Sequence, residues 1–229
     1  MSTVLVMSDE AEAQPEGGSS SRLMAVLLTV LGVLVVATAV VVGHAWGSGS
    51  KDAPSFPTSS SVDAGFASDM STHHQQAITM AGYVRDNSSD PAVRTIALDI
   101  ETSQLGQEGE MLGWLDTWGL VRNSNDKMAW MAGHAHVSAN GLMPGMATPA
   151  QLEKLLSLRG KAMDVLFLQL MIHHHQGGVV MAQYAAEHAQ ESYVRNTAQS
   201  MYLAQSNEIV QMEQLLRQLG GEPLPPPAN

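Results

Sequence analysis

A gap-free internal repeat constrains this chain more than any other feature. Phe66, Met70, His73, His74 and Gln75 return 101 positions later as Phe167, Met171, His174, His175 and Gln176. The same shift carries Asp63 to Asp164, Met80 to Met181, Tyr83 to Tyr184, Gln104 to Gln205, Met111 to Met212 and Gly119 to Gly220. An offset that never slips over so many turns requires equal element lengths and the same connecting loop in both copies. The fold must therefore be a doubled unit.

Each unit reads as a helical hairpin. In the first, Asp63 is placed to cap a helix reaching about Asn87. Asp90-Pro91 then supplies a fresh cap with Pro at the first helical position, and Gly119 stops the second helix after about Trp118. In the second, the helices are expected from about Lys161 to about His188 and from about Glu191 to about Leu219. Two such hairpins predict an all-α protein built as a four-helix bundle. The organisation expected is hairpin one over 63–119, a long crossover over 120–160 and hairpin two over 161–220. The crossover holds one short helix announced by Thr148-Pro149.

Outside this duplicated domain (63–220) lie an anchor, a tether and two tails. Residues 1–22 are acidic and rich in Gly and Ser, which predicts disorder. Residues 23–42 carry no charge. Twenty helical residues rise about 30 Å, the thickness of a bilayer core, which predicts one N-terminal transmembrane helix and a place in the cell membrane. Arg22 directly before the span and the large domain after it favour the N-terminus inside and the domain outside the cytoplasm. Residues 43–62 form a flexible tether, and residues 221–229 a Pro-rich tail that cannot continue a helix.

Charge and sulfur narrow the chemistry. A formal net charge of −11 excludes nucleic acid as a partner, because phosphate binding needs clustered Lys and Arg. The chain has 15 Met and no Cys, so soft sulfur is present only as thioether, and disulfides and thiolate sites are ruled out. On a helical wheel Met70, His73 and Met80 share one stripe, with His74 on its flank and the small Ala77 between. Counting outward from the turn brings Gln104, Glu108 and Met111 alongside. The second copy repeats the set as Met171, His174, His175, Met181, Gln205, Glu208 and Met212. The donors could meet inside each hairpin or between the two. Imidazole with thioether points to copper as the cofactor, with another transition metal left open, since thioether is a poor ligand for hard ions. His134, His136, Met143 and Met146 in the crossover are a second, weaker set. His173 is expected to face solvent, and the tryptophans to close the end of the bundle.

The run Phe-x-x-x-Met-x-x-His-His-Gln, then Met-Ala, then Gln205-x-x-Glu208-Ile209-x-x-Met212, resembles the family called domain of unknown function 305, over roughly residues 62–220. The resemblance implies a ferritin-like four-helix domain, secreted or membrane-anchored in bacteria, with some members tied to periplasmic copper binding. Carried onto this chain, the motif positions are Met70, His73, His74 and Met80 in copy one, and Met171, His174, His175, Met181, Glu208 and Met212 in copy two. Copy one departs from the pattern at Gln107-Glu108-Gly109, where the acid is displaced by one place.

Two functions compete on this reading. One is a membrane-anchored copper buffer or carrier. The other is a helical module that docks on a membrane complex or on a second copy of the chain, its His and Met serving only the core. No enzyme is expected: no Glu is followed three places later by His, as a di-iron site needs, and no nucleophile–base pair or phosphate loop is present.

Overall fold

The computed structural model describes residues 19–47, 55–131, 133, 137–138 and 140–227. Six helices follow in order: α1 Ser19–Gly47, α2 Val62–Asn87, α3 Pro91–Trp118, α4 Pro149–Ser157, α5 Gly160–His188 and α6 Ser192–Gln218. No strand occurs among the described residues. The chain divides into two units, residues 1–55 and residues 56–229.

In the first unit α1 holds the apolar run, and Met24–Val41 is long and apolar enough to cross a membrane. Its side chains are exposed throughout that window. By length and composition this helix is a candidate membrane span.

The second unit is a helical bundle of two hairpins. Helix α2 packs on α3, α5 on α6, and the hairpins meet chiefly through α2 against α5. Local chemistry explains most boundaries. Asp90 caps α3 by accepting from Ala92 and Val93, Pro91 opens the helix, and Gly119 ends it in the left-handed region (φ 70°). Thr148 and Gln151 form a reciprocal capping box at the start of α4.

Asp63 behaves differently from the sequence expectation. The cap of α2 is Ser61, which accepts from Ala64. Asp63, fully buried, instead reaches the other hairpin and accepts from the backbone N–H groups of Gln190 and Glu191 (2.8–3.1 Å) just before α6. A carboxylate at a helix start meets both unpaired donors and the positive end of the helix dipole. The second hairpin is thus capped from the first.

Two apolar clusters fill the bundle. One gathers Met70, Met111, Met181 and Met201 with Phe66 and the tryptophans, and the other Met80, Met163, Met171 and Met212 with Phe167. Met70 of α2 joins Met181 of α5, and Met80 joins Met171, so the two helices run antiparallel about a pseudo-twofold axis. Trp114 and Trp118 stack near Tyr193, whereas Trp130 packs edge-on against Phe66 and Tyr184. Asp69 pins the crossover beneath that ring. It is 1% exposed, accepts from Met128 N–H (2.7 Å) and Trp130 Nε1–H (2.9 Å), and pairs with Lys127 at 3.2 Å. The crossover is therefore docked at Met128, Met131 and Met143, all buried, rather than looping freely.

Candidate metal centre

On α2 the order Met70, His73-His74, Ala77, Met80 leads from one apolar cluster to the other, and on α5 the order is reversed in space. The four histidines consequently form a layer between the clusters. All four are buried: His73 0%, His74 0%, His174 1% and His175 0% exposed.

His73 and His174 meet between the hairpins, their ring centroids 3.7 Å apart and their planes 34° apart. Small residues make the approach feasible. A Cβ on Gly178 would stand 3.3 Å from His73 Cε1 and 2.3 Å from Gln205 Oε1. Its counterpart in copy one is the buried Ala77. His74 and His175 turn instead to the partner helix of their own hairpin, on Gln107 (2.8 Å) and Glu208 (2.7 Å).

Hydrogen bonding fixes the tautomers. His73 Nε2 lies 3.1 Å from the Pro144 carbonyl and His174 Nε2 3.0 Å from the His73 carbonyl. A carbonyl oxygen can only accept, so both Nε2 atoms carry the proton and donate. His175 Nε2 likewise donates to the Glu208 carboxylate, and His74 Nε2 is paired with the Gln107 side-chain amide. His73 and His174 are thereby left with an unprotonated Nδ1, and the Nδ1 atoms of all four rings are buried without a hydrogen-bond partner. The side-chain amides of Gln104 and Gln205 are also buried and unpartnered. A buried polar group left unpaired costs about 1–3 kcal/mol, so these lone pairs and amides call for a partner.

Burial also keeps three of these rings neutral. Desolvation pushes His73 down to about 4 and His74 down to about 3, and holds His174 well below the usual imidazole range. Neighbouring imidazoles add to each shift, because a second positive charge in the same dry layer is unfavourable.

The loop Met143-Pro144-Gly145-Met146 closes over the layer. Gln76 clamps it by donating to the Ala147 carbonyl (3.0 Å) and accepting from Ala147 N–H (2.7 Å). The loop lies so close to α5 that a Cβ on Gly177 would sit 2.0 Å from the Pro144 oxygen. Gly145 has φ 79°, and a Cβ there would strike the His173 carbonyl at 2.4 Å. Only glycine meets both demands at that position. His173 is not simply solvent-facing: it is half-buried, and its Nδ1 lies 3.1 Å from the Gly145 carbonyl.

Of the other residues singled out in the sequence, Met70, Met80, Met111, Met171, Met181 and Met212 are all buried within the two flanking clusters. Glu108 does not take the place of Glu208. Gln107 stands there, in keeping with the offset of 101, while Glu108 is half-buried and its carboxyl is raised by desolvation. The offset alone could have identified Gln107, since it maps Glu208 onto it. Gln76 and Pro144 carried no such signal. Met143 is buried and Met146 half-buried, and His134 and His136 lie outside the described residues. Among the described residues no three His, Asp or Glu side chains converge as a ready-made cation site. The donor types, buried imidazoles in a layer between two methionine-bearing clusters, suit a soft ion in kind.

The family model described as Domain of unknown function (DUF305) matches residues 63–216. A DUF305 protein of Streptomyces coelicolor is 44% identical (TM-score 0.68), the match covering 73% of this chain and 99% of that one. A DUF305 fragment from Deinococcus radiodurans is 30% identical (TM-score 0.59), with coverage of 72% and 99%. CopM in its Cu(II)-bound form is 26% identical (TM-score 0.53), with coverage of 69% and 97%. No curated protein matches the chain.

Proposed function

The chain belongs to the DUF305 family, and within it we propose a membrane-anchored copper-handling protein whose inner histidine layer holds the ion. One observation carries the reading. His73 and His174 each donate Nε2–H to a backbone carbonyl and keep a buried Nδ1 that has no hydrogen-bond partner. That is the arrangement a metal-ligating histidine requires: one nitrogen orients the ring, the other binds.

His73 and His174 would bind first, because they already stack across the interface, with His74 and His175 beside them. Met70 and Met80 on α2, and Met171 and Met181 on α5, are the thioethers nearest in sequence on the same two helices. Imidazole and thioether together favour Cu(I), and imidazole also accepts Cu(II). CopM, with the same fold, is a copper-bound relative, which supports the choice of metal. Glu208 and Gln107 would act as orienting partners, and no catalytic role is assigned to any residue. Helix α1 would anchor the domain, N-terminus inside and bundle outside the cytoplasm, where thioethers can bind copper without oxidisable thiols.

The test is a Cu(I) titration of the full chain in detergent micelles against a competing chromogenic chelator. The expected result is a low whole-number stoichiometry with affinity well above that for Zn(II). Equal or weaker affinity for Cu(I) than for Zn(II) would reject the proposal.

A further inference from the structure

A cavity of about 660 Å³ lies on the outer side of the Met143-Pro144-Gly145-Met146 loop, between that loop, His173 and the C-terminal segment Leu224–Pro227. The inner layer lies directly beneath: Pro144 gives its carbonyl to His73, and Gly145 gives its carbonyl to His173. The loop is thus shared between the cavity and the buried rings.

Three soft or borderline donors line this one space: His173, Met143 and Met146. The Gly145 carbonyl accepts from His173 Nδ1, so Nε2, on the far side of the ring, is the nitrogen available to an ion. His173 and Met146 are half-buried, within reach of solvent, whereas Met143 is 3% exposed and belongs to the apolar cluster that also holds Met70 and Met181. The three residues therefore form a series from the surface inward. From the sequence His173 is expected to face solvent, and copy one has Thr72 at the equivalent position. The asymmetry is informative: among the described residues the loop meets α5 at His173, the position where copy one has Thr72.

We infer that this cavity is a second, outward-facing Cu(I) site, where His173 Nε2 with the Met146 and Met143 thioethers takes up the ion before it passes to the His73–His174 layer. The inference rests on the copper reading of the inner layer. Imidazole with two thioethers is a soft set suited to Cu(I) and weak for hard ions. Transfer changes ligands only: the ion remains Cu(I), and no electron or proton has to be supplied.

The test compares His173→Asn/Met146→Leu with the unaltered full chain, using a bicinchoninate–Cu(I) complex as donor. Asn keeps a side-chain N–H for the Gly145 carbonyl but lacks the second ring nitrogen, and Leu keeps the volume of Met. Met146→Leu alone, at a half-buried position, serves as the variant least able to disturb folding. The expected result is one Cu(I) fewer per chain and loading of the inner site slowed at least tenfold, with the final inner affinity unchanged. Met146→Leu alone should slow loading in the same direction. If both variants load as fast and as fully as the unaltered chain, the cavity has no such role, although the inner site stands. If the unaltered chain binds no Cu(I), the inner reading fails, and this one with it.

Discussion

His73→Ala combined with His174→Ala is expected to lower the affinity for Cu(I) by on the order of 100-fold, about 2.7 kcal/mol. The pair is chosen because the rings meet across the hairpin interface at 3.7 Å and because their Nδ1 lone pairs are buried without partners. Removing both deletes the two rings that meet across the interface of α2 and α5 while leaving His74, His175 and the methionines in place. Chelator competition measures the loss. Circular dichroism reports whether the variant stays helical, and His188→Ala, at an exposed ring bonded to its own helix, is the matched control. A bundle in which these rings only fill space would keep its Cu(I) affinity in the double variant.

Acid should destabilise the metal-free chain steeply between about pH 6.5 and pH 4. Folding holds His73, His74 and His174 neutral by desolvation, with His73 near 4 and His74 near 3. In the unfolded chain the same imidazoles protonate near the ordinary value of about 6.5. Between these limits the unfolded state binds more protons than the folded one, so unfolding free energy falls as pH falls. Each histidine contributes a slope of up to about 1.4 kcal/mol per pH unit, and the effect is absent above about pH 7. Urea unfolding at successive pH values measures it. His74→Leu should flatten the dependence, and a midpoint independent of pH from 7 to 4.5 would contradict the burial of neutral rings.

Much of this architecture is legible in the sequence because duplication writes each element twice. Asp90-Pro91, Gly119 and Thr148-Pro149 mark helix ends through local chemistry, and those ends are found where the residues require them. Long-range partners are harder to read. Asp63 has the composition of a local cap, yet it satisfies the start of α6, because a buried carboxylate goes to whichever unpaired N–H groups the packing brings near. The stripe holding His73 is visible on a helical wheel, but a wheel cannot say which neighbour it faces. Within a hairpin it would meet α3, and in the fold it meets α5. At Glu108 the reason is simpler: the repeat register places the uncharged Gln107, not the neighbouring acid, against His74. The clamp of Gln76 on Ala147 and the seating of Pro144 over the layer join residues 71 positions apart, and nothing local announces such bonds.

The most direct measurement is X-ray absorption at the copper edge on the His173→Asn/Met146→Leu chain loaded with Cu(I), so that only the inner site contributes. Buried imidazoles between methionine-bearing clusters predict a first shell containing both nitrogen and sulfur, with the nitrogen contribution reduced when His73 and His174 are also replaced. A shell of oxygen alone, or one unchanged by loss of both histidines, would show that the buried lone pairs are not where the metal binds.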